Sequence, residues 1–373
     1  MFRDQFPAAP HRERDVSLDV VRGLAIVLAM GWHLNASTGV AVIDALAAPG
    51  RVIGWAGVDL FFVLSGFLIG RLVLAEVERT GQFDTRRFLL RRAFRLWPVL
   101  YLYVAAQFIA GDKPWESFLF QNLFHVQNYW ESSLKHLWSL AVEEHFYLIL
   151  SLVLPLYAAR RLAPSTLVWG LLAVLAVTLC LRAAAALAGV EAQDIQWQTH
   201  LRADSLASGL LLAIMSVYWP DAFARLQTMR LPLLAVMSAG VAFLWMVPKG
   251  TGLASTVGYT IAYITSACAL LLVYKAPIAG AKWPWSKALA WLGIYSYSLY
   301  VWHLAGARIG AALLSRFGVT DPVAILAVKY AAAILLGVAV SRALEWPVMR
   351  LRDRFIPSGS RAIDAPTTGS TAA

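Results

Sequence analysis

Charge is scarce in this sequence. Of 373 residues only 14% are Asp, Glu, Lys or Arg, while 59% are hydrophobic. A soluble domain carries roughly 25% charged residues. A chain this apolar has too little polar surface to face water all round, so its solvent must be lipid. Cysteine is scarcer still. Cys180 and Cys268 both lie inside apolar runs, which excludes a disulfide framework. No cleavable leader is expected, because the first apolar run contains Arg22 and no small-residue cleavage site follows it. No metal site is expected, since the seven histidines are scattered without ligand spacing. No internal repeat is visible, nor a linker long enough to join a second domain.

Long apolar runs are abundant. About ten can be read, near 17–35, 52–74, 94–111, 137–158, 165–188, 201–218, 231–247, 254–274, 288–306 and 322–345. They predict an all-α fold, a polytopic bundle of about ten transmembrane helices. The expected organisation is a cytoplasmic arm over 1–16, the transmembrane domain over 17–347 and a cytoplasmic, disordered tail over 348–373, small and polar from Ser358 on. The net charge of +10 would suggest nucleic acid in a soluble protein. Here it reports topology instead. Lys and Arg favour alternate connections by about three to one, Arg86, Arg87, Arg91, Arg92 and Arg95 among them. That side is expected to be cytoplasmic and to hold both termini.

Ionisable groups inside spans are costly and therefore point to the bundle interior and to function. The first span carries Arg22 and His33, eleven residues apart, hence on one stripe and roughly 16 Å apart along the axis. The fourth span presents Ser139, Glu143 and Tyr147 at i, i+4 spacing, which predicts that Glu143 points inward. With His33, Asp59, Arg202, Asp204 and His303 it is expected to occupy the outer half of the bundle. A histidine beside a carboxylate suits acyl transfer to a hydroxyl, as base or as nucleophile. Arg91, Arg92 and Arg95, with Arg22 deeper in, offer guanidinium forks suited to the phosphates of a coenzyme A thioester. Plainer readings stand beside these. Arg22 can pair with Asp19 or Asp15, the arginine run can enforce topology or hold anionic lipid, and Asp59 and Asp204 can be structural. The Ser65-Gly66 pair is expected to allow close helix packing.

At these residues the sequence resembles the acyltransferase-3 family of integral membrane O-acyltransferases. The matching segments are LDVVRGLAIVLAMGWH, GVDLFFVLSGFLIG, FLLRRAFRLWP, HLWSLAVEEHFYL, RADSLASGLLLA, YSYSLYVWH and the closing LEWP, spread from Ser17 to Pro347. His145 and Trp346 depart from the residues common there. The resemblance implies that His33 and Glu143 are essential, that Arg22, Arg91, Arg92 and Arg95 handle the donor, and that no cofactor is tightly bound. Asp59, Ser139, Tyr147, Arg202, Asp204 and His303 are expected to serve the acceptor or support the site. The implied reaction moves an acyl group, acetyl by default, from cytoplasmic acyl-CoA to a hydroxyl of a carbohydrate or other envelope acceptor, in a bacterial inner membrane. The expected partners are then acyl-CoA, that acceptor and membrane lipid. Direct transfer and an acyl-histidine relay both remain open. A proton-coupled transporter is the competing reading, since intramembrane histidines and carboxylates also build proton relays.

Overall fold

The computed structural model describes residues 15–111, 115–130, 134–275 and 283–357. They contain helices and connecting loops, and no strand occurs among them. In chain order the helices begin with α1 (Val16–His33), α2 (Ala41–Ile53), α3 (Gly57–Thr80) and α4 (Thr85–Ile109). There follow α5 (Trp115–Leu123), α6 (Trp138–Ala159), α7 (Pro164–Leu187) and α8 (Ala192–Trp197). Then come α9 (Ala203–Tyr218), α10 (Pro220–Thr228), α11 (Arg230–Met246) and α12 (Tyr259–Val273). The last are α13 (Pro284–Ile294), α14 (Ser296–Arg316), α15 (Pro322–Val340) and α16 (Trp346–Phe355).

Among the described residues six helical segments are long and apolar enough to cross a membrane, and α9 with α10, bent by 116°, makes a seventh if counted as one span. The chain is a multi-pass membrane helix bundle. The run read at 231–247 falls on α11, shorter than a full span, and the run at 94–111 falls on the arginine-rich α4. The run at 288–306 is not one helix. It straddles α13 and α14, which part at Tyr295, where φ is −97° and ψ is 3°. No proline marks that break, and Gly293 two residues before it is engaged in packing against α1. The tail expected from 348 onward is also partly ordered. It opens in α16, where Arg91 of α4 pairs with Asp353 at 3.0 Å and donates to the Ile356 carbonyl. Short, highly charged α16 gives no apolar signal of its own and is held by these pairings. The expected arm at 1–14 and the tail beyond 357 lie outside the described residues.

Local chemistry sets the helix ends near the site. Asp15 caps α1 by accepting from the Ser17 amide at 3.0 Å, and Asp84 caps α4 by accepting from the Arg87 amide at 2.9 Å. Small residues set the closest approaches. A Cβ on Gly66 would strike the Leu206 carbonyl oxygen, and one on Gly209 the Val63 carbonyl oxygen, so α3 and α9 touch backbone to backbone. Gly23 and Gly293 do the same for α1 and α13. The LEWP segment has a structural task. Glu345 is buried, and its Oε2 accepts from Ser298 Oγ on α14 at 2.6 Å and from Ser341 Oγ at 2.8 Å. This locks the end of α15 onto the helix that carries His303.

Candidate active site

Two cavities adjoin in the bundle. The first, about 140 Å³, is lined by Arg22 from α1, Ser65 from α3, Arg92 and Arg95 from α4, and Ser139, Glu143 and Tyr147 from α6. Tyr297 and Tyr300 of α14 close it. The second, about 360 Å³, holds His33 at the end of α1, with Trp32, Trp55, Trp138, Trp197 and Tyr259. Lys135, Lys249, Gln193 and Gln196 supply its further polar lining. Val58 lines both cavities, and the consecutive residues Trp138 and Ser139 line one each.

The arginine chamber sorts the basic residues. Arg22 donates to Asp19 at 2.9 Å, the i, i+3 pair expected as the plainer reading, and still lines the cavity. Arg92, 8% exposed, and Arg95 line it as well. Arg91 does not, because its guanidinium is committed to α16. Ser139, Glu143 and Tyr147 share the chamber, as their spacing required, and the Tyr147 hydroxyl lies 3.0 Å from Ser65 Oγ. Glu144 is also buried, but against α4, where its Oε1 accepts from Trp97 Nε1 at 3.3 Å.

Around His33 lies a cluster that spacing alone did not disclose, with His136 and His303 buried beside it and lining neither cavity. The His33 ring lies 5.2 Å from His303 and 6.4 Å from His136, and His136 lies 5.5 Å from His303. His303 Nδ1 is 2.8 Å from the Tyr300 carbonyl and His136 Nε2 is 3.2 Å from the Val301 carbonyl. A carbonyl only accepts, so each of those nitrogens carries the proton. In the neutral rings the other nitrogen is then a free acceptor, and His303 Nε2 is buried without a hydrogen-bond partner. The structure thus gathers His33 with His303 and His136. It does not bring His33 to Glu143: among the described residues no hydrogen bond or ion pair joins them, and they line different cavities. His136 sits in a short turn, Lys135–Leu137, just before α6.

Asp59, Arg202 and Asp204 stand behind the cavities and line neither. Arg202 pairs with Asp59 at 2.5 Å, and Ser205 Oγ donates to the same oxygen at 2.7 Å. Asp204 pairs at 2.6 Å with Arg182, both fully buried. Arg182 was not anticipated, although an arginine deep in an otherwise apolar helix is itself a signal. The Arg202 guanidinium lies 3.8 Å from the centre of the Tyr259 ring and 5.4 Å from that of Trp138. The network therefore fixes two rings that wall the histidine chamber. Among the described residues no group of His, Cys, Asp and Glu could hold a metal ion.

The sequence profile of the acyltransferase domain matches residues 15–345. The chain belongs to the acyltransferase-3 family. Peptidoglycan O-acetyltransferase OatA of Listeria monocytogenes is 26% identical, covering 90% of this chain and 56% of the relative. O-acetyltransferase OatA of Staphylococcus aureus is 29% identical over 77% of this chain and 49% of its own length. The putative peptidoglycan O-acetyltransferase YrhL of Bacillus subtilis is 28% identical over 79% of this chain and 48% of its own. The chain spans about half the length of the curated relatives it matches. No solved structure matches it. Nothing in these comparisons supports the transporter reading.

Proposed function

We propose that the chain is an integral membrane O-acyltransferase that carries an acyl group, acetyl in the first instance, from acyl-CoA to a hydroxyl of a carbohydrate. The membrane is the bacterial inner membrane, with the arginine chamber on the cytoplasmic side and the histidine chamber on the outer side. The observation that carries this reading is the shared wall at Val58, which sets a basic cavity beside a histidine cavity. Each half-reaction then has its own compartment.

At about 140 Å³ the arginine chamber is well below the 300 Å³ and more that a drug-sized ligand fills. It suits the acyl-thioester end of the donor. The guanidinium groups of Arg22, Arg92 and Arg95 suit its phosphates. At the reacting centre the acceptor hydroxyl gives its proton to His33. The acceptor oxygen bonds to the acyl carbon, the carbon–sulfur bond breaks, and the CoA thiolate takes a proton. In the relay variant His33 takes the acyl group first and passes it on. In either route His303 Nε2, unpartnered at rest in a ring 5.2 Å from that of His33, is the acceptor available to the His33 N–H once the imidazole carries the proton. Glu143 acts on the donor side in this reading, next to Ser65 and Tyr147.

Membranes bearing wild-type protein or His33→Ala, supplied with radiolabelled acetyl-CoA, test the reaction. Label entering a carbohydrate fraction only with the wild type is the expected result. Equal label from both overturns the assignment of His33. No label from either, with acyl donor and acceptor both varied, overturns the reaction.

A further inference from the structure

The histidine chamber is furnished for more than a hydroxyl. Its walls are aromatic, with Trp55 and Trp197 facing the same space as Gln193 and Gln196 of α8. Flat rings beside amides suit the apolar face and the hydroxyls of a sugar. Its charge is one-sided. Lys135 and Lys249 both line it, and no carboxylate is among the lining residues. Among the described residues neither lysine forms an ion pair. Lys249 Nζ lies 4.4 Å from the Trp32 ring centre, partly withdrawn from water. Burial, together with the nearby Arg202, pushes its ammonium down to about 8, while Asp59 pulls the other way. A cation that is half-desolvated and lacks a counter-charge gains most from a ligand that brings one.

We propose that this cavity binds the acceptor as an anionic saccharide, with Lys249 and Lys135 holding its acidic group while a hydroxyl faces His33. This rests on the acyl-transfer reading for the role of the ligand, but not for its binding. The lysines are specificity residues. They act on which sugar enters. A neutral sugar would leave the half-buried Lys249 charge unpaired, which is the origin of discrimination, and the exposed Lys135 adds attraction for an anion.

The test uses the full chain in lipid nanodiscs and quenching of tryptophan fluorescence. The probes are a uronic-acid trisaccharide, its carboxyl-reduced neutral form and a phosphorylated hexose. The expected result is at least a tenfold preference of the wild type for an anionic probe over the neutral one. Lys249→Gln should lose that preference and keep its affinity for the neutral sugar, while Lys249→Arg should retain it. A preference for the uronic acid alone, or for the phosphate alone, identifies which anion the site reads and supports the proposal. Equal binding of all three probes, binding of none, or an undiminished preference in Lys249→Gln overturns it. Acetyl transfer in the same nanodiscs separates the two claims. Transfer without charge preference removes only the anionic pocket, and charge preference without transfer removes only the enzymatic reading.

Discussion

The Arg182–Asp204 pair should be among the costliest polar contacts in the bundle to break. Helix α7 is long and apolar, yet its buried residues are only Thr178 and Arg182. Most of its apolar surface therefore faces lipid, with only a partly buried edge at Leu167, Val168, Leu171 and Leu175 against the core, and lipid gives no hydrophobic drive for docking one helix on another. Arg182 supplies what packing does not. Its guanidinium pairs with Asp204 at 2.6 Å and donates to the Leu201 carbonyl at 3.0 Å, the Thr256 carbonyl at 3.1 Å and Thr260 Oγ1 at 2.8 Å. Both side chains are fully buried. Removing one partner of such a pair leaves an uncompensated charge and costs about 3–5 kcal/mol. Removing both leaves no orphan charge. Asp204→Leu and Arg182→Met should each lower unfolding free energy in detergent by about that amount, and the double variant should lose clearly less than the sum. Reversible denaturant unfolding followed by circular dichroism gives the cycle. Single losses under about 1 kcal/mol, or strict additivity, would refute the claim that the pair anchors α7.

Other consequences are shorter to state. Arg92→Gln and Arg95→Gln should raise KM for acetyl-CoA about tenfold each, the worth of one charge-assisted hydrogen bond. Arg91→Gln should leave KM unchanged and free α16 instead, which limited proteolysis of that helix would report. His303→Ala should reduce kcat by about 10²-fold or more with little change in KM, because the partner of His33 is lost while both chambers keep their lining; an unaltered kcat would remove His303 from the site. Lys249, in the company of Arg202, Asp59 and His33, is charged below about pH 8 and neutral above it in the free protein. Affinity for an anionic saccharide should therefore fall as pH rises through that value, and a titration of the fluorescence signal with pH checks it.

Much of this was readable along the chain, and the failures share a cause. Spans show themselves because lipid demands an apolar run of fixed length, and Arg22, His33, Asp59 and Glu143 stand out against that background. Period also worked, since Ser139, Glu143 and Tyr147 do share one cavity. What period cannot supply is the partner. Glu143 looked like the group to orient His33, but the histidine is gathered with His303 and His136, which come from other parts of the chain. His136 gives no periodic signal, because it sits in a turn outside the α6 stripe. Arg91 shares a helix face with a cavity arginine and still leaves for α16, a choice made by Asp353. The break at Tyr295 has no proline to mark it, and Gly293 just before it reads equally as a helix-packing glycine. Arg182 was legible in principle, as an arginine inside a long apolar helix. Lys249 was visible only as one more charge in a loop, since nothing local says that Trp32 and Arg202 are its neighbours.

The wall between the chambers also bears on how a proton is managed. Its polar groups satisfy one another. The Tyr300 hydroxyl donates to the His136 carbonyl at 2.7 Å, so the hydrogen in the 2.6 Å contact between Tyr300 and Ser139 must come from Ser139. Each hydroxyl proton on this path is already committed, and Val58 fills the wall beside them. A proton taken by His33 thus meets an open acceptor at the buried His303 Nε2 beside it and a saturated path toward the arginines. In the proposed reaction the proton then stays with the histidines until the thiolate, at the boundary between the chambers, takes it directly, rather than passing along the hydroxyls of the wall. Opening that path is a direct check. Tyr300→Phe removes the hydroxyl from the middle of the chain and leaves the ring. If the saturated chain only seals the wall, transfer should persist with a modest loss, and acetyl-CoA hydrolysis without acceptor should stay low. If the chain conducts the proton, transfer should collapse as in His33→Ala, and the account of the wall as an insulator would be wrong.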